Sequence, residues 1–115
     1  MLTNGIIVTD ATFAHEVEES SGLTIVDFSA TWCPPCRLIE RVLDEIAVAR
    51  RDLRMVVIDT DENIETTVRF NVRSVPTILF FKDGQLVERL VGVSPRARIE
   101  GAIARHASGR SRVVP

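Results

Sequence analysis

A chain of 115 residues, 45% hydrophobic and 26% charged, is long enough for one packed domain and has the balance of an ordinary water-soluble globule. Its net charge of -2 argues against a polyanion or an acidic membrane surface, so neither nucleic acid nor membrane is expected as a partner. No apolar run approaches membrane-spanning length, and the start of the chain lacks the charged and long apolar stretches of a signal peptide, which predicts a cytoplasmic protein.

Taken in order, Ile6-Ile7-Val8 reads as a short strand. Asp10 stands where it would cap a helix over 11–19, with Phe13 and Val17 on one face. Ser20-Ser21-Gly22 ends that helix, and residues 23–30 read as a fully buried strand apart from Asp27. After Trp32-Cys33-Pro34-Pro35-Cys36, an amphipathic helix runs over 37–50, and Leu38, Ile39, Val42, Leu43 and Ile46 should face the sheet. A second buried strand over 54–60 completes a right-handed parallel unit. Asp61-Glu62-Asn63 opens a short helix to about residue 70, and residues 71–76 form a loop. A strand over 77–81, a hairpin turn at Lys82-Asp83-Gly84-Gln85 and a partner strand over 86–91 follow. Ser94 should cap, and Pro95 begin, a last helix to about residue 107. Residues 108–115 carry no helical pattern and read as a flexible tail, leaving one domain over 1–107. The expected class is α/β, a mixed sheet with helices on both faces.

Both cysteines fall in Cys33-Pro34-Pro35-Cys36, at a strand-to-helix junction. They could be two inert structural thiols, or half of a zinc site. Zinc needs about four ligands, and there is no second cysteine pair; His15 and His106 lack ligand spacing to the first. At a helix start the unpaired N–H groups and the helix dipole stabilise a thiolate, so Cys33 should ionise more readily than a free cysteine. Cys36 lies on the same helical face and can close a disulfide with it. A bridge across so short a loop adds little stability, and in a reducing compartment it is transient, so a dithiol switch is the better explanation. Asp27, alone among apolar residues, is costly to bury ionised and should have a raised pKa.

Val26-Asp27-Phe28-Ser29-Ala30-Thr31-Trp32-Cys33, then Asp61-Glu62-Asn63, Val72-Arg73-Ser74-Val75-Pro76-Thr77, Phe81-Lys82-Asp83-Gly84 and Val91-Gly92, resemble the thioredoxin family at its own intervals. The likeness covers residues 6–107. It implies a thioredoxin fold, with a five-stranded sheet in the order 1-3-2-4-5 and four helices. It also implies a protein-disulfide reductase, a monomer working in electron transport and cell redox homeostasis. Its partners would be disulfide-containing client proteins and a thioredoxin reductase; NADPH acts only through that reductase, and no bound cofactor or metal is expected. By the same resemblance Cys33 is an exposed nucleophile, Cys36 the buried resolving thiol, and Asp27 helps move the Cys36 proton. Val75-Pro76 is expected to be cis, facing the cysteines, with the Val75 backbone open to an extended client chain. Gly92 allows close approach, and Trp32, Pro34 and Pro35 complete the client-binding surface, with Trp32 as a partly exposed apolar platform. Two other readings stay open: a binding or chaperone-like module gated by redox state, and a dedicated reductant of one client enzyme.

Three positions depart from the family pattern. Pro34 stands where a glycine is usual, so two consecutive prolines remove two backbone donors and fix φ at both sites. No histidine or charged residue lies between the cysteines, as oxidases and isomerases of this fold carry, which predicts a mild nucleophile in a reductant. Val57 stands where a lysine commonly neighbours the aspartate, which should raise Asp27 further. Arg41 replaces a proline that often kinks the long helix, which predicts a straighter one.

Overall fold

In the computed structural model, which describes residues 5–107, the strands are β1 (Ile6–Ile7), β2 (Leu23–Ser29), β3 (Arg54–Asp59), β4 (Thr77–Lys82) and β5 (Gln85–Val91). A π-helical turn spans Ala14–Glu18, and three α-helices follow: α1 (Pro34–Ala49), α2 (Ile64–Arg69) and α3 (Arg96–His106). The sheet order is β1-β3-β2-β4-β5, as expected. β1 and β2 run parallel to β3, while β4 is antiparallel to both β2 and β5. Val57 and Ile78 flank Asp27 on the neighbouring strands. The expected tail over 108–115 lies outside the described residues.

Every residue of β2 is buried, because the strand is central and both of its faces are covered. Side chains alternate between the two faces. Leu23 and Ile25 join Ile39, Leu43 and Ile46 of α1 and Ile99 and Ile103 of α3 in one core. Val26 and Phe28 join Phe13, Val17 and Phe81 in the other. There Phe13, Phe70 and Phe81 form a ring trio with centroids 5.3, 5.8 and 5.4 Å apart, two of the pairs edge to face. Asp27 and Ser29 share the alternation of Leu23 and Ile25, so they belong to the α1 side.

The long helix starts at Pro34, three residues before its expected start. Both prolines sit in its first turn, where a missing N–H costs nothing. Ile39, Leu43 and Ile46 face the sheet as expected and Val42 packs at its margin, but Leu38 is exposed. The buried stripe is narrower than apolar periodicity suggests and runs through Cys36, Ile39, Glu40, Leu43, Ile46 and Ala47.

Two caps are corrected. The first helix is only a π-helical turn, closed by the Glu19 N–H donating to the Ala14 carbonyl at 3.0 Å, and Asp10 does not cap it. The Asp10 carboxylate instead accepts the N–H groups of Thr66 (2.8 Å) and Glu65 (3.3 Å) in the first turn of α2, while the Asp10 N–H donates to Asn63 Oδ1 at 2.8 Å. Ser94 makes no cap on α3 either; it is buried and its Oγ has no hydrogen-bond partner among the described residues, and Pro95 precedes the helix in extended conformation.

The hairpin between β4 and β5 turns through Asp83 (φ 51°) and Gly84 (φ 82°), both left-handed, which is the type I′ pattern. Its tip is tied to the start of β2: the Gly22 N–H donates to Asp83 Oδ1 at 2.7 Å and the Asp83 N–H to the Gly22 carbonyl at 2.9 Å. A Cβ on Gly84 would collide with the Glu18 carbonyl oxygen.

Candidate active site

β2 ends at Ser29, and the chain turns through Ala30 to Trp32 into α1. The Ala30 carbonyl accepts the Cys33 N–H at 3.3 Å and Nη2 of Arg37 at 2.8 Å, which closes the turn. Cys33 is the N-cap of α1 in extended conformation (φ -103°, ψ 101°). Because Pro34 and Pro35 have no N–H, Cys36 supplies the first backbone donor of the helix. That N–H points back to Cys33, reaching its Sγ at 3.2 Å and its carbonyl at 3.1 Å. The Cys33 sulfur therefore sits at the positive end of α1 with one direct donor.

Cys33 and Cys36 are joined as a disulfide, their Cα atoms 5.3 Å apart. Cys36 is fully buried, as expected. Cys33 was expected to be exposed but is only 2% exposed. In the oxidised state its sulfur is bonded inward to Cys36 and packs with Ala30 and Val75. The Val75 carbonyl oxygen lies 3.9 Å from it. The Val75–Pro76 peptide is cis, as expected, with Val75 half-buried and Pro76 buried. Pro76 is therefore covered in the oxidised state. Its carbonyl accepts the Gly92 N–H at 2.8 Å. Gly92 has φ 85° and open space around its missing Cβ, so backbone conformation explains the glycine.

Trp32 is 65% exposed beside the disulfide, and Pro34 and Pro35 are exposed with it. The indole is fixed by Nε1 donating to Asp61 Oδ2 at 2.7 Å. Between Trp32, Asp61, Val72, Arg73 and Val75 lies a cleft of about 260 Å³.

Asp27 is wholly buried, and among the described residues neither carboxyl oxygen has a hydrogen-bond partner. Burial, reinforced by the charge of Glu40 and opposed by that of Arg37, pushes its pKa up to about 8. The strands beside it contribute only Val57 and Ile78 at its register, so no cation stands where the family's lysine would be.

Sequence reading missed the groups around this carboxyl. Glu40, only 4% exposed, accepts hydrogen bonds from Ser29 Oγ (2.9 Å) and Arg37 Nη2 (3.1 Å). The signal available was an acidic residue at i+4 from Cys36, inside the stripe Ile39, Leu43 and Ile46. Asp61 reads from the sequence as a helix opener and as part of the family likeness, not as a partner of Trp32; its bond to the indole joins residues 29 positions apart. Among the described residues, no group of three or more His, Cys, Asp or Glu side chains could hold a metal ion, and no helix is long and apolar enough to cross a membrane.

Comparison with known proteins agrees with this geometry. The thioredoxin family model matches residues 4–105. Thioredoxin 1 of Synechococcus elongatus is 45% identical over 100 residues, covering 86% of this chain and 94% of the relative. The thioredoxin of Listeria monocytogenes is 46% identical over 100 residues, covering 86% and 95%. That of Mycobacterium bovis is 48% identical over 95 residues, covering 82% of each. With a disulfide at the head of α1 and this likeness over most of its length, the chain belongs to the thioredoxin family and is a thiol-disulfide oxidoreductase.

Proposed function

We propose that the chain is a protein-disulfide reductase in which Cys33 is the nucleophile and Cys36 the resolving thiol. The observation that carries this is the Cys33 sulfur at the N-terminus of α1, held by the Cys36 N–H and bonded to Cys36. In the reduced protein, the Cys33 thiolate attacks one sulfur of a client disulfide. The client S–S bond breaks, its other sulfur leaves as a thiolate and takes a proton, and Cys33 is left in a mixed disulfide. Cys36 then gives up its proton, attacks Cys33 Sγ and expels the second client thiolate, regenerating the Cys33–Cys36 bond. Two electrons pass to the client. Holding both thiols in one helical turn makes the second step intramolecular and fast.

Asp27 in its ionised form takes the Cys36 proton. With its pKa near 8, that form grows as pH rises toward 8, so resolution speeds up over the same range. An extended client chain lies across Trp32, Pro34, Pro35, Val75 and Gly92, with Pro76 shaping the loop below, and pairs with the Val75 backbone. The disulfide is reduced again by a thioredoxin reductase that draws on NADPH. The protein works as a monomer in the cytoplasm.

Insulin reduction tests this reading, run once with dithiothreitol and once with NADPH plus thioredoxin reductase. Acceleration by both routes is expected. Acceleration with dithiothreitol alone would make the chain a dedicated reductant with its own electron source, and acceleration by neither would leave a redox-gated binding module.

A further inference from the structure

Glu40 lies on the sheet-facing side of α1, four residues after Cys36, and is almost wholly buried. Its Oε2 accepts from Ser29 Oγ at 2.9 Å and Arg37 Nη2 at 3.1 Å. Arg37 Nη2 also reaches Ser29 Oγ at 3.4 Å and the Ala30 carbonyl at 2.8 Å, the same carbonyl that receives the Cys33 N–H. The network ties the end of β2 to the first turns of α1 across the reactive turn. Ser29 is two residues beyond Asp27 on the same face of β2, roughly 7 Å along the strand. Its hydroxyl therefore holds the Glu40 carboxylate on the Asp27 side of the sheet.

We propose that Glu40 and Arg37 are positioning residues of the dithiol site: together they clamp the turn that presents Cys33, and they place two opposed charges on the face of the sheet that holds Asp27. This rests on the reading of Asp27 as the group that takes the Cys36 proton. β3 and β4 put only Val57 and Ile78 at the register of Asp27, and among the described residues the charged side chains acting on it, Glu40, Arg37 and Asp44, sit on α1. Glu40 favours the protonated carboxyl and Arg37 the ionised one. Burial raises the pH at which Asp27 gives up its proton, and the pair tunes that pH in opposite directions, the task a cation on β3 would otherwise share.

The test is a carbon-13 NMR titration of the Asp27 carboxyl in the oxidised wild-type chain, Glu40→Gln and Arg37→Gln. The midpoint should fall by roughly one pH unit in Glu40→Gln and rise by a similar amount in Arg37→Gln, with Glu40→Asp returning toward wild type. Displacement in the same direction in both glutamine variants, or in neither, would overturn the proposal, because a purely structural network has no reason to split them by sign. If Glu40→Gln does not fold, Arg37→Gln decides alone, and a midpoint that does not rise counts against the pair. Single-turnover resolution of a mixed disulfide, followed against pH in the same variants, separates the two layers. Should the midpoints split as expected while the resolution profiles stay put, the charge pair stands and the proton-transfer role of Asp27 fails.

Discussion

The two faces of β2 carry different kinds of core. On one side Val26 and Phe28 meet an apolar cluster with the Phe13, Phe70 and Phe81 rings packed together. On the other, beside an equally apolar cluster, Asp27 and Ser29 lie buried on the α1 side, with Ser29 bonded to Glu40. Burial stabilises the first face at no polar cost, whereas the second holds a carboxyl, unpartnered among the described residues, whose desolvation works against folding. A strand of seven residues thus divides its labour by alternation, one face for cohesion and one for chemistry.

The largest effects should come from the chemical face. Cys33→Ser should bring insulin reduction down to the uncatalysed rate. Cys36→Ser should stall after the first exchange, and mass spectrometry should find client proteins bound covalently through Cys33; finding none would move the nucleophile elsewhere. On the cohesive face, Phe81→Ala should cost about 3–5 kcal/mol in urea unfolding, while the exchange rate per folded molecule stays near wild type. A fall in that rate would mean the two faces are not separable.

Asp27→Asn sharpens the contrast from the other side. It should stabilise the chain by about 1–3 kcal/mol near neutral pH while slowing resolution. The Asp27 carboxyl holds its proton to about pH 8 when folded, against 3.8 as the ordinary value. The folded state therefore binds more protons across that window, and stability declines as pH climbs through it. The margin between variant and wild type should widen from about pH 4 to about pH 8, and a constant margin would mean the carboxyl is satisfied in the fold. The smallest effect belongs to the rim. Asp61→Ala frees the Trp32 indole and removes one exposed hydrogen bond, worth about 1 kcal/mol, or about five-fold in kcat/KM for clients.

The element order and the raised Asp27 were legible because each follows from local pattern: an unbroken buried run, a cysteine pair at a helix start, a charge where none is comfortable; the sheet order followed only from the resemblance to the thioredoxin family. What escaped depends on partners far along the chain. Asp10 has the chemistry of a cap, but cap chemistry does not say which helix it serves, and the α2 amides it accepts lie 55 and 56 residues away. Ser94 looks like a cap as well, yet the turn into α3 leaves its hydroxyl buried without a partner among the described residues. Leu38 fits the helical period, but helix-to-sheet contact is narrower than the apolar stripe. Cys33 reads as exposed when judged by reactivity, and the closed disulfide turns it inward.

Hairpin tips are the usual places to graft an epitope, a tag or a guest domain, because loop ends tolerate insertion. The tip at Asp83-Gly84 is an exception: it docks on Glu18 and is buttoned to Gly22. Guest sequence spliced there would prise the hairpin away from the π-helical turn, so an engineer looking for a permissive splice point in this scaffold should choose another loop.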